Sequence, residues 1–410
     1  MNKTIEAALK EDYSHPVRDA LWGHIYMTEN QAHLIESAPF MKLYRILQLG
    51  PVYHVYPGAT HTRASHSIGV YHLGRRLLRN LAERGASEWL SGEGVKSFLA
   101  ACLLHDIGHF PYTHSLKDLP LASHESLTGA IIVKEPMKSL VGNTGADPYL
   151  TAAIVDKELS EPSDELNFYR KLLSGALDPD KLDYMNRDAR YCGVPYGAQD
   201  VDFILSRLSP NKERGADIDS RLIPNVESIL FSKYLMYRTV YWHHQVRAAT
   251  AMIKKAIING LASSKITKER LYNLDDAGLF ALLGDDPLVE AARNGRIFST
   301  AAEIPRDRAN LAERDISRRA TLEKRVEDAF NIKGVIIDIP ENISFETGLF
   351  VTDEGRDFSE SSSAFRTETV NAFVKTLYTI RVFVDQKYKN TLKTQSDFYN
   401  ILNELMARED

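Results

Sequence analysis

The chain has 410 residues, of which 44% are hydrophobic and 26% charged, and a formal net charge of −5. This is the composition of a globular protein large enough for two lobes, and the mildly acidic balance gives no indication of a nucleic-acid partner. Two cysteines, Cys102 and Cys192, are too few for a disulfide framework, and no stretch approaches the roughly 20 apolar residues of a membrane span. Met1–Lys10 has no apolar signal core, so a cytoplasmic protein without a membrane partner is expected.

In chain order, residues 1–30 read as an extended or looped lead-in, with His15-Pro16 favouring extended backbone. Apolar residues recur at helical spacing from Gln31 to Gln48 (Leu34, Ile35, Phe40, Leu43, Ile46, Leu47), with Pro39 near a helix start. Pro51–Thr60 reads as a loop and Ser65–Leu81 as a helix. Gly94–His105 reads as a buried helix in which Cys102 is a small hydrophobe. Pro111–Pro120 is irregular, and His124–Val133 is helical again. Asp178-Pro179-Asp180 is a helix start with an acidic cap and a proline in the first turn. That helix should run to about Tyr191 and stop at Gly193 and Pro195. Val226–Leu261 is one long helix or two joined ones, and Arg306–Ala329 is a charge-dense helix with a solvated face. After Gly334 the pattern changes. Val335–Pro340 and Ile380–Val384 are β-like, and Asp353-Glu354-Gly355 is a turn. The fold expected is mainly α, with a helical lobe over 1–260 and a smaller α+β lobe over 261–410.

Eight of the 13 histidines fall between His54 and His124. His105-Asp106 follows the apolar run Phe98–Leu104, where hydrated, titratable groups are costly to bury. A divalent metal gives them a reason to be there, because it takes a neutral nitrogen and an anionic oxygen together. His66 stands near the start of another helix, and Asp180 can supply a fourth ligand. Two imidazoles and two carboxylates, completed by water, suit Mn, Fe, Ni, Co or Mg better than a closed zinc site. Any one of these histidines alone is more often a hydrogen-bonded core residue; the four together favour the metal. Asp180, Tyr184, Arg187, Asp188 and Tyr191 form one polar stripe. It could pair with itself as surface salt bridges or line a nucleotide pocket, and the pattern leaves both open.

Several segments in order resemble the HD-domain phosphohydrolases, most closely the deoxynucleoside triphosphate triphosphohydrolase branch. They are Arg45–Gly50, Tyr56–Arg63, His66–Val70, His105–His109, Pro111–His114, His124-Glu125 and Asp180–Asp188, and the resemblance covers about residues 15–260. It implies an HD-domain helical core with His66, His105, Asp106 and Asp180 on the metal, which is Mn, Fe, Ni, Co or Zn, with Mg as a second, weaker ion. It implies Arg63 and Lys181 on the phosphates, and His109, His114 and His124 at the reaction centre. Gln48 and Asp188 would meet the sugar 3′-hydroxyl, Leu49 would crowd the 2′ position, and Tyr184 and Tyr241 would pack on the nucleoside. The reaction implied is water attack at the α-phosphorus of a dNTP, giving deoxynucleoside and tripolyphosphate, by a homo-oligomer.

Three positions depart from the family. The carboxylate usual three residues after His114 is Lys117, with Asp118 next to it as the expected substitute partner for His124. The arginine that binds a regulatory guanine nucleotide is Tyr44, with Glu36 and Met41 nearby, so that activator is not carried over. The late phosphate-binding arginine corresponds to Lys233, with Arg238 close by, and a lysine is a point charge rather than a bidentate fork. Two other functions stand beside the dNTPase. One is an HD phosphatase or phosphodiesterase acting on another nucleotide or a nucleic-acid end. The other is a nucleotide-binding regulatory protein with a weak site.

Overall fold

The structure, a computed structural model, describes residues 3–10, 13–159, 163–305, 316–341 and 343–393. The lead-in is extended from His15-Pro16 on, as the sequence predicts, and helical before it. It forms a helix, α1 (Lys3–Leu9), and a hairpin of β1 (His15–Asp19) and β2 (Gly23–Met27). In the hairpin Ile25 and Met27 face inward while His24 and Tyr26 face out, and the Asp19 carboxylate accepts the Leu21 and Trp22 N–H groups of the turn at 2.8 Å each. Elements this short carry too few residues for a periodic signal. The helix expected over 31–48 is two helices, α2 (Glu29–Glu36) and α3 (Ala38–Leu43). Ser37 is extended between them, and Pro39 lies in the first turn of the second.

The core is built from α4 (Arg63–Glu83), α5 (Gly92–Leu104), α6 (His124–Ile132), α7 (Met137–Asn143), α8 (Pro148–Val155), α9 (Asp164–Leu173) and α10 (Pro179–Cys192). Caps set the starts that matter for function. Thr62 accepts the Ser65 N–H at the head of α4, and Asp178 accepts the Lys181 N–H at the head of α10. Gly193, at φ 66°, ends α10 as the sequence predicts. Every side chain from Phe98 to Leu104 is buried, so α5 is the central helix, in contact with α1, α4, α8 and α9. Truncating Phe98 to alanine there would cost about 3–5 kcal/mol. Gly69 lets α10 cross close to α4, since a Cβ at that position would collide with the Asp183 and Arg187 side chains.

The chain continues through α11 (Val201–Arg207) and a hairpin of β3 (Ser209–Asn211) and β4 (Gly215–Asp217). The stretch read as one helix or two is two, α12 (Ile223–Met236) and α13 (His244–Ala262), joined by a π turn over Tyr237–Tyr241. The Trp242 N–H donates to the Tyr237 carbonyl at 2.9 Å, which marks that wider turn. α13 then packs on α16 (Pro287–Arg293), after α14 (Lys268–Tyr272) and α15 (Asp276–Leu282), in a core that also takes Phe110 and Leu116.

Next come β5 (Ser299–Pro305), α17 (Ile316–Phe330), β6 (Ile336–Asp338), β7 (Phe350–Val351), β8 (Arg356–Asp357) and β9 (Thr379–Val384). The two β-like runs pair as β6 and β9 in an antiparallel sheet of order β5-β9-β6, whose third strand the sequence pattern did not single out. In the charge-dense helix, residues 306–315 lie outside the described residues. The rest, α17, is only partly solvated: Arg319 and Glu323 are buried. The fold is mainly α with a smaller α+β part, and no helix among the described residues is long and apolar enough to cross a membrane.

His72 of α4 lies against Trp22, with ring centroids 6.2 Å apart. Burial, helped by the charges of Arg76 and Arg75, pushes its pKa down to about 4. In the unfolded chain the ring protonates near pH 6.5. The neutral ring's contribution to stability is therefore full above that pH and is lost as the pH falls to about 4. Thermal unfolding of wild type and His72→Gln, near neutrality and near pH 5, should show a smaller acid loss of Tm in the variant. Equal losses would show that His72 protonates freely in the folded protein.

Candidate active site

Three helix ends converge. His66 sits in the opening turns of α4, His105 and Asp106 follow the last residue of α5, and Asp180 lies in the first turn of α10. His66 Nε2 is 2.9 Å from Asp180 Oδ1, and His105 Nε2 is 3.4 Å from Asp106 Oδ1 and 4.0 Å from Asp180 Oδ1. Donors at right angles on one ion, with bonds of about 2.1 Å, lie about 3 Å apart. His66, His105 and Asp106 offer ligand atoms within 4.8 Å of one another, and Asp180 adjoins the two imidazoles. His105 Nδ1 donates to the Cys102 carbonyl at 3.0 Å, which leaves the Nε2 lone pair buried without a hydrogen-bond partner. Burial lowers the His66 pKa, but hydrogen bonds to Asp180 and Asp183 outweigh it and raise it to about 10. The site therefore asks for positive charge and offers an orphaned nitrogen. A divalent cation fits both features.

A second layer holds these ligands, and sequence reasoning missed it. Asp183 Oδ2 accepts from His66 Nδ1 at 2.9 Å, and Arg187 grips the same carboxylate with two N–H groups at 2.8 and 2.9 Å. Trp22 Nε1 donates to Asp183 Oδ1 at 2.6 Å, and Arg187 Nη1 reaches Asp19 at 2.8 Å. Arg187 thus leaves the polar stripe and turns into the core. Spacing was the available signal: Asp183 lies one turn from Asp180 and four residues before Arg187.

The loop after α5 brings in three more imidazoles. The ring centroids of His109 and His114 are 4.9 Å apart and those of His109 and His124 are 4.0 Å apart; His109 Nε2 is 3.2 Å from His114 Nε2. Gly108 permits this approach, since a Cβ there would strike the His124 carbonyl. Burial, then the Arg63 charge, pushes His109 and His114 well down. Burial also takes His124 down to about 4, so all three are neutral at pH 7. Asp118 is not their partner. It turns to the far side of the loop, where Lys254 holds it at 2.6 Å and Arg319 at 2.8 Å, while Lys117 lines the cavity. The carboxylate beside His124 is Glu125, 3.1 Å from Nδ1.

A cavity of about 510 Å³ joins His66, His105, Asp106, Asp180, His114 and His124 to Gln48, Leu49, Arg63, Lys181, Tyr184, Asp188, Lys233 and Tyr241, with His109 buried behind its wall. Arg63 Nη1 donates to Asp106 Oδ2 at 2.8 Å. Asp188 is fixed at both oxygens, by His61 Nε2 at 2.8 Å and the Tyr241 hydroxyl at 2.6 Å, and Gln48 Oε1 is buried without a partner. Lys181 reaches Asp178, its own helix cap, at 2.8 Å. Arg238 does not belong to the cavity wall; its guanidinium runs back along α12 to the Tyr234 hydroxyl at 2.8 Å. Tyr237, Asp276 and Glu341 do line the cavity and were not anticipated.

The family model for the HD domain matches residues 63–144, and that for the HD-associated region matches 209–405. The chain belongs to the HD-domain superfamily of phosphohydrolases. This HD protein is 31% identical over 270 residues to an uncharacterized protein of Methanocaldococcus jannaschii, a match covering 65% of the chain and 54% of that protein. It is 34% identical over 226 residues to the uncharacterized protein YwfO of Bacillus subtilis, covering 55% and 50%. To the deoxynucleoside triphosphate triphosphohydrolase SAMHD1 of Bos taurus it is 24% identical over 321 residues, covering 68% and 54%. The chain spans about half the length of these curated relatives. Among solved structures, a hypothetical protein from Aquifex aeolicus superposes with a TM-score of 0.73 at 25% identity, covering 93% of this chain and 99% of that one. A phosphohydrolase from Bacteroides thetaiotaomicron shares the fold, with a TM-score of 0.72 at 24% identity, covering 91% and 100%.

If Asp183 orients His66 for a metal, Asp183→Asn should weaken metal binding about 10–100-fold. Metal content after dialysis against a graded chelator reads this directly, with thermal unfolding as a control for the fold. A folded variant that keeps its full metal content would rule the role out.

Proposed function

We propose that this HD protein hydrolyses deoxynucleoside triphosphates to deoxynucleoside and tripolyphosphate, using a divalent metal held by His66, His105, Asp106 and Asp180. One observation carries the proposal: a single cavity joins that donor set to the cations Arg63, Lys181 and Lys233 and to the polar pair Gln48 and Asp188. When bound, the metal supplies Lewis-acid polarisation and a lowered pKa for water.

The chain's own residues do the rest. Arg63, fixed by Asp106, lies where charge builds on the phosphoryl oxygens, and Lys181 and Lys233 neutralise the phosphates beyond. Asp188, fixed by His61 and Tyr241, and the unpartnered Gln48 Oε1 accept from the sugar hydroxyl. Tyr184 and Tyr241 flank the nucleoside, and Leu49 narrows the 2′ side. Water forms a new bond to the α-phosphorus, the bond from phosphorus to the 5′-oxygen breaks, and that oxygen needs a proton. The trio His109, His114 and His124 is the candidate donor, with the proton shared across the short contact between His109 Nε2 and His114 Nε2. A homo-oligomer is part of the same proposal by resemblance, and a cytoplasmic chain of two lobes divided near residue 260 is part of it from the sequence pattern.

Metal-reconstituted protein incubated with the four dNTPs should release tripolyphosphate. Pyrophosphate or monophosphate as the product would move the reading to another HD phosphatase or phosphodiesterase. Tight dNTP binding without turnover under every metal tried would move it to a regulatory protein.

Two variants separate the roles. Asp106→Ala should lose most of its bound metal and all hydrolysis; surviving activity would refute the ligand assignment. Asp188→Ala should keep the metal and raise KM about tenfold or more, because a fixed hydrogen-bond acceptor is removed. A fall in its metal content would show that α10 does not divide the work this way.

A further inference from the structure

Lys233 of α12 is 6% exposed, and its ammonium is enclosed by three consecutive residues from the stretch between β6 and β7. Nζ donates to the Ser344 carbonyl at 2.8 Å and to Glu346 Oε2 at 2.7 Å. The Ser344 hydroxyl donates to Glu346 Oε1 at 2.9 Å, and the Phe345 ring centroid lies 5.4 Å from Nζ. Burial would raise the Glu346 pKa, but Lys233 and then Lys181 hold it below the ordinary value, so the carboxylate is ionised and lies in the field of both lysines. Ser344 and Glu346 line the same cavity as the metal ligands.

The two lysines are paired differently. The partner of Lys181 is Asp178, the cap of its own helix, which cannot leave without undoing α10. The partner of Lys233 is on residues 343–349, which have no helix and no strand, and the Glu346 side chain keeps about a third of its surface exposed, at 36%. One carboxylate is a weaker ligand for an ammonium than several polyphosphate oxygens, and comparable to a single phosphate monoester.

We propose that Glu346 is a resident anion in the phosphate end of the cavity, competing with the substrate's distal phosphates for Lys233. Only a ligand with enough anionic oxygens displaces it, so Glu346 selects polyphosphorylated substrates over less charged ones. The inference rests on the reading that the cavity takes a phosphorylated nucleotide.

The test is isothermal titration of the metal-loaded full chain with inorganic tripolyphosphate and, separately, with deoxyadenosine, which has no phosphate. Glu346→Gln, and Glu346→Ala as a second variant, should bind tripolyphosphate about tenfold more tightly than wild type and deoxyadenosine equally. The gain should vanish when Lys233→Met is added. Unchanged or weaker tripolyphosphate binding in both variants overturns the proposal and makes Glu346 a buttress for Lys233. Equal tightening of both ligands also overturns it, because the segment would then merely obstruct the cavity. Product analysis on wild type tests the dNTPase reading separately. A tripolyphosphate gain in an enzyme with a different product leaves the role of Glu346 standing.

Discussion

The crossing of α4 over α10 depends on one buried arrangement of charge. Arg187, with no exposed surface, lies between Asp183 and Asp19, and Asp183 also takes the His66 and Trp22 N–H groups. Burial would raise the Asp183 pKa, but Arg187 and His66 hold it well below the ordinary carboxylate value. A buried arginine with one carboxylate removed is left with unmatched charge, at a cost of about 3–5 kcal/mol. The hairpin that carries Asp19 and Trp22 is therefore not an ornament at the start of the chain. It closes the network that sets which nitrogen of His66 faces Asp180.

Once that crossing is set, the cavity is closed by groups from far along the chain. The Leu47 N–H donates to Asp276 at 2.9 Å, Arg247 holds Asp338 at 2.6 and 2.7 Å, and Lys254 with Arg319 ties down Asp118. Both family-matched segments, 63–144 and 209–405, line the cavity, but Asp180 and Asp188 lie on α10, between them. A truncated HD segment would keep His66, His105 and Asp106 and lose Asp180 and Asp188. The chemistry is a property of the assembled core.

The long elements were legible because caps and apolar periodicity agree: Asp178 and Gly193 each act where the sequence places them, while Thr62 starts α4 two residues earlier than the periodicity does. Of the four proposed ligands, His66, His105 and Asp106 lie within 4.8 Å of one another and Asp180 adjoins His66. What could not be read was direction. Asp118 and Lys117 are neighbours, and one residue of turn decides which faces the cavity; the 3-10 turn over Thr113–Leu116 sends Asp118 outward. Arg238 was near enough in sequence to Tyr241 to be grouped with it, yet the π turn points the tyrosine into the cavity and the arginine back along α12. Asp19, Trp22 and Glu346 carry no local signal, because each acts on a residue more than a hundred positions away.

The neutral histidine trio constrains any acid role in the proposed reaction. With burial as the first cause and the Arg63 guanidinium beside it, an imidazolium at His109 or His114 is disfavoured before a ligand arrives. A proton donor is then not resident. A polyanionic ligand changes the balance, because its oxygens offset the Arg63 charge and favour the protonated ring. On the proposed reaction, the proton that the leaving 5′-oxygen needs would then come to the histidine trio as the polyanion binds. On that reading, and with Glu346 as the resident anion proposed for Lys233, densely charged phosphates would be favoured at both ends of the cavity.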